Sequence, residues 1–183
     1  MKTFKPRLKA RLRKNRQVLN KNIDNFFGWV KGAKLVELKE CNTEEDPVRP
    51  ELDNEFRTGY GRKIYGVEYQ GEIYAVMCFA YTNKIPKSVD ELEKLSTDAF
   101  LQSAMRDQSG GQIAIAYTVW SKKKGGGKLI VKEVFKKIKK SNHLNRLITL
   151  SPLTEMATKF HSNNGAKLIQ INETTQNFEY KVM

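Results

Sequence analysis

Gln112-Ile113-Ala114-Ile115-Ala116-Tyr117-Thr118-Val119-Trp120 runs into Ser121-Lys122-Lys123-Lys124-Gly125-Gly126-Gly127-Lys128, and that into a run from Leu129 to Lys140. The first segment is rich in β-branched and aromatic residues, which favour a strand. The second is a cationic glycine turn. In the third, Ile130, Val134 and Ile138 recur every four residues, with Val131 and Phe135 alongside, which predicts a helix. Strand, glycine turn and helix suit a phosphate-bearing ligand. Glycines let the backbone come close to phosphate oxygens, and a helix N-terminus offers free N–H groups and a partial positive charge.

Working outward, Leu19, Ile23, Phe26 and Val30 predict an amphipathic helix over 17–31, and Lys34–Lys39 alternates as a strand. Residues 40–62, with Glu44, Glu45, Asp46, Pro47 and Pro50, read as a loop, either solvated or able to bind a basic substrate. Lys63–Tyr69 and Glu72–Tyr81 form a hairpin around Gln70-Gly71. Residues 83–88 are a loop, Val89–Arg106 a helix and 107–111 a turn. Downstream come a strand at 146–150, a helix at 154–163 with Met156, Ala157 and Phe160 inward, and strands at 166–172 and 176–182. This is an α/β chain.

The 183 residues suffice for one domain with its own core, and no apolar run approaches the length of a membrane span. The basic N-terminus lacks the apolar stretch of a secretory signal. Cys41 and Cys78 lack metal-ligand spacing and are expected to be reduced thiols in a cytoplasmic setting, an isolated disulfide being the alternative. The net charge of +13 favours polyanionic partners. Residues 1–16 form a basic arm with no acidic residue, either a solvated end or a contact for nucleic acid or an acidic protein surface.

The turn fails two phosphate-binding patterns. Position 122 is Lys where a Walker loop needs Gly, and Leu129 follows Gly127-Lys128 where a hydroxyl ligand for magnesium is needed. The dinucleotide pattern fails because Ile130 stands at its last glycine. Lys122-x-x-Gly125-x-Gly127 instead resembles the Q/R-x-x-G-x-G/A loop of the GNAT superfamily of N-acetyltransferases. Thr154 to Ala166 resembles that family's N-x-x-A-x-x-L-Y-x-x-x-G-F segment, with Ala157 and Gly165 at the matching offsets.

The resemblance implies a mixed, mostly antiparallel central sheet flanked by helices over 17–183, with 83–110 as a helical insertion. It implies an acyl-coenzyme A, acetyl-CoA in the first instance, as donor substrate. The pyrophosphate would lie on Lys122, Lys124, Gly125, Gly126, Gly127 and Lys128. The pantetheine arm would run beside Tyr117, Thr118 and Val119, with Thr154 and Ala157 also against the coenzyme and the thioester near His161. His161 stands where the family has a tyrosine that protonates the leaving thiolate. It is a substituted acid acting as imidazolium, the mark of a site that has lost this chemistry, or a surface histidine at a helix end. Glu68 is the candidate general base, with Asp107 and Glu72 as alternatives. His143 and His161 have no acidic company suited to a metal, and Ser151 lacks a nucleophile elbow. Two readings follow. One is an acyltransferase acting on an unidentified amine by direct attack in a ternary complex. The other is an inactive GNAT-like protein whose basic surface docks on nucleic acid or a larger assembly.

Overall fold

The computed structural model describes residues 28–29, 31–106 and 110–180. The basic arm, most of the helix expected over 17–31, and Asp107 lie outside these residues. The chain divides into two compact units, Met1–Lys34 and Leu35–Met183. In the first, residues 28, 29, 31 and 32 are helical, and the Ala33 N–H reaches Trp29 O at 3.0 Å.

The rest of the described chain builds β1 (Lys34–Leu38), α1 (Asn54–Thr58), β2 (Lys63–Tyr69), β3 (Glu72–Thr82), α2 (Val89–Arg106), β4 (Ile113–Ser121), α3 (Gly126–Lys139), β5 (Arg146–Thr149), β6 (Ser151–Pro152), α4 (Glu155–Asn163), β7 (Ala166–Ile171) and β8 (Thr175–Tyr180). The sheet runs β1-β2-β3-β4-β5-β8. Strand β6 joins β8 beside β5, and β7 lies along the other edge of β8. The β4–β5 pair is parallel; β2–β3, β3–β4, β5–β8, β6–β8 and β7–β8 are antiparallel. This is the mixed, mostly antiparallel sheet expected.

Side chains alternate across a strand, and the core follows that alternation. Ile64, Val76, Cys78, Ile115, Tyr117 and Ile148 fill one face. Leu92 of α2 and Phe56 of α1 pack against them. On the other face, Tyr65 and Phe79 meet Val134 and Ile138 of α3. The insertion expected over 83–110 is therefore a structural layer. Its helix begins with reciprocal capping: Ser88 Oγ accepts the Glu91 N–H at 3.1 Å, and the Glu91 carboxylate accepts the Lys87 N–H at 2.7 Å.

Residues 40–62 are not a plain loop. They carry a 3-10 turn at Thr43–Glu45, then α1, then a second 3-10 turn at Gly59–Gly61. Asp46 is not solvated but 1% exposed, and pairs with the fully buried Arg57 at 2.9 Å. Alternation and turn signals cannot show this, because Asp46 is buried by partners distant in sequence. Within α4, Met156 is 77% exposed rather than inward.

Candidate functional site

The site begins where β4 and β5 part. They pair from Ile113↔Arg146 to Ala116↔Thr149, and the Leu150 N–H adds a last link to Ala116 O at 2.9 Å. Beyond that point Ser151-Pro152 pairs with Thr175 and Gln176 of β8 instead. On its other edge β4 stays paired with β3, but the register moves from Cys78↔Thr118 to Phe79↔Ala116. Tyr117 is thus an extra residue on β4, a bulge that turns the strand just where its neighbour leaves.

A cavity of about 600 Å³ fills this gap, within the range of small-molecule sites. Thr118, Val119 and Trp120 form one wall, and Ser151, Ala157 and His161 the opposite one. Gly127 and Val131 approach from the α3 side, Pro47 and Val48 from the other face of the sheet. The cavity therefore spans the gap from one face of the sheet to the other.

The glycine turn stands at one end. Gly125 takes φ 87° as the N-cap of α3, a conformation that suits glycine. Lys122 N–H bonds Tyr74 O at 2.9 Å, tying the turn to β3. The Gly126 and Leu129 N–H groups bond Lys123 O and Gly125 O. Those of Gly127 and Lys128 are then the donors that this helix end offers. Gly127 leaves little room for a side chain: a Cβ there would lie 3.0 Å from the Phe160 ring, which would have to give way by a few tenths of an ångström.

His161 is at the inner end and is not a surface residue: it is 5% exposed. Its Nε2 is 2.7 Å from Ser151 Oγ, and its Nδ1 is 2.9 Å from Tyr180 OH. Ser151 Oγ also bonds Thr149 Oγ1 at 3.1 Å. All four residues line the cavity. Burial pushes the His161 pKa down to about 4, because the charged ring would lose its hydration. At neutral pH the ring is uncharged, with one nitrogen donating and the other accepting. This corrects the expectation of an imidazolium acid.

Val119, Lys122, Gly127, Ala157 and His161 all line the cavity. Gly125 and Gly126 shape its end without lining it. Lys124 and Lys128 are exposed beside it. Thr154 caps α4, its Oγ1 accepting the Ala157 N–H at 3.3 Å. Glu68 sits half-buried on β2 at the bulge opposite Ile73, and Glu72 is exposed at the hairpin turn; neither lines the cavity. Among the described lining residues the one carboxylate is Glu45, whose Oε2 is 2.7 Å from Lys122 Nζ.

Glu45, Ser151 and Tyr180 also line the cavity, outside the site residues expected from the sequence. Glu45 is visible there only as one acid in a cluster, and Ser151 only as a hydrolase nucleophile set aside for want of an elbow. Nothing local marks Tyr180; the Leu147↔Tyr180 pairing brings it beside β5.

No protein-family model and no curated protein matches the sequence. Solved structures do match in fold. The GphF GNAT-like decarboxylase in complex with isobutyryl-CoA superposes with a TM-score of 0.60 at 9% identity, over 80% of this chain and 98% of that one. The loading GNATL domain of CurA from Lyngbya majuscula gives 0.58 at 12%, over 81% and 96%. A Bacillus subtilis acetyltransferase in complex with CoA gives 0.55 at 13%, over 82% and 99%.

Proposed function

This chain has the GNAT fold, and we propose that its cavity binds an acyl-coenzyme A and that the protein transfers the acyl group to an amine. The observation that carries the proposal is the gap between β4 and β5, with the glycine turn at one end and the His161 cluster at the other. The pyrophosphate would take the Gly127 and Lys128 N–H groups and the Lys122 charge. The pantetheine arm would pair with β4 at Val119, leaving the thioester between Thr118 and Ser151. An amine entering past Pro47 and Val48 would attack the thioester carbon. Its proton would pass to Glu45, which pyrophosphate releases by drawing Lys122 away. The carbon–sulfur bond then breaks and the thiolate takes the Ser151 proton; Ser151, held by its hydrogen bond to uncharged His161, regains one from solvent as Glu45 gives up the amine's proton to solvent. Holding both reactants in one gap supplies much of the rate.

Acetyl-CoA is expected to raise the melting temperature, and Gly127→Glu to abolish the rise by filling the turn and repelling phosphate. No rise at millimolar coenzyme would overturn the proposal.

The Ser151–His161 pair favours a second reading, decarboxylation of a carboxyacyl-coenzyme A. An uncharged cavity wall disfavours a carboxylate and so promotes its loss. The carbon–carbon bond would break, CO2 would leave, and its electron pair would pass through the α-carbon to the thioester oxygen as an enolate. Ser151, backed by His161, would protonate that carbon and recover the proton from water. The fold accommodates this kind of reaction in the GphF GNAT-like decarboxylase. Malonyl-CoA separates the readings. Decarboxylation yields acetyl-CoA and no free thiol, whereas amine acylation of either thioester releases coenzyme thiol.

A further inference from the structure

The buried charges of the described chain are Asp46, Arg49, Arg57 and Arg62, an excess of guanidinium on one face of the sheet. Burying charge without a counter-charge is costly, so each cation calls for a reason. Arg57 has Asp46. Arg62 bonds Phe56 O and Ser96 Oγ and lies over the Phe56 ring, away from the gap. Arg49 bonds no carboxylate through its guanidinium. Its Nε–H donates to Tyr117 O at 2.9 Å and its Nη2 to Leu150 O at 3.0 Å.

Those two carbonyls belong to the bulge residue of β4 and to the first residue after β5. They stand where the strands separate, and two acceptors cannot pair with each other. Closing the gap would bring them together unsatisfied. One planar guanidinium gives each a donor and fixes their separation.

Arg49 is itself held. Asp46 Oδ1 accepts the Arg49 N–H at 3.2 Å and the Val48 N–H at 2.9 Å. Arg57 Nη2 bonds Arg49 O at 2.7 Å and Asp46 Oδ2 at 2.9 Å. Thr118 Oγ1 donates to the Asp46 carboxylate at 2.8 Å, closing the circuit on β4. We propose that Arg49 is a positioning residue that sets the width of the acyl-coenzyme A slot by bridging the Tyr117 and Leu150 carbonyls. It rests on the reading of the gap as the coenzyme site. Its role is to keep β4 and β5 at the spacing that the pantetheine arm occupies.

The test titrates the full chain with coenzyme A by calorimetry, at a temperature where circular dichroism shows every variant folded. Arg49→Met is expected to weaken binding about tenfold or more, since small misplacements at a site are costly. Arg49→Lys, which reaches one carbonyl but not both, is expected to lose about threefold. Arg62→Met removes a buried guanidinium away from the gap and serves as the control for general destabilisation. It should lower the melting temperature yet bind within about twofold of wild type. Wild-type affinity in Arg49→Met, or an equal loss in Arg62→Met, overturns the proposal. Should Arg49→Met not fold, Arg49→Lys decides it, wild-type affinity again refuting. A wild-type chain with no affinity for coenzyme A overturns the slot reading itself and this proposal with it.

Discussion

Replacing His161 with phenylalanine should remove much of the acid sensitivity of this protein's stability. His161 is buried, with its pKa pushed down to about 4, while in the unfolded chain it titrates near 6.5. The folded state therefore binds this proton less readily than the unfolded state. Above about pH 6.5 the difference contributes nothing; as pH falls towards 4 the unfolded state takes up the proton alone and stability is lost. The full loss is about 3 kcal/mol at about 1.4 kcal/mol per pH unit, and between pH 7 and 4.5 it is roughly 2.5 kcal/mol. The variant leaves Ser151 Oγ and Tyr180 OH without their ring partner, which costs about 1–3 kcal/mol at every pH. Urea unfolding of both proteins from pH 7 to 4.5 measures the difference, in which the shared carboxylates largely cancel. The variant should start less stable and lose less on acidification, so that the two curves converge by roughly 2.5 kcal/mol. Parallel curves would refute the argument that His161 is buried and uncharged.

Two further perturbations test the scaffold. Gly111→Ala should destabilise by more than about 3 kcal/mol, because a Cβ at Gly111 would overlap the Thr82 backbone, which cannot swing aside as a side chain would; thermal unfolding reads the loss. Asp46→Asn should cost about 3–5 kcal/mol in denaturant unfolding, because it leaves the Arg57 guanidinium buried without its counter-charge. A near-neutral Asp46→Asn would mean that water or Arg57 rearrangement compensates.

The strand–turn–helix unit was legible because everything that makes it is local. Alternation marks β4, a four-residue repeat marks α3, and three successive glycines mark the turn. The observed strand, Ile113–Ser121, falls within one residue of that reading at each end, and the helix, Gly126–Lys139, begins three residues before Leu129 and ends one before Lys140. The match of Lys122, Gly125 and Gly127 with Ala157 and Gly165 anticipated the GNAT fold for the same reason. Residues 40–62 were misread because their order depends on charge pairing. A cluster of acids and prolines looks solvated until Arg57 and Thr118 are seen around Asp46.

The site divides in the same way. The sequence alone determined that a cationic glycine turn precedes a helix and that His161 follows one helix and one strand later. It could not determine the state of His161, because hydration sets an imidazole's charge and burial is a property of the packed chain. Tyr180 reaches His161 through the pairing of β8 with β5, and Arg49 reaches Tyr117 and Leu150 across 68 and 101 residues of sequence. Local pattern carries backbone conformation, since that is decided by neighbours along the chain. Which charges are buried, which strands part and which side chains meet in the gap is decided only when distant segments compete for the same space.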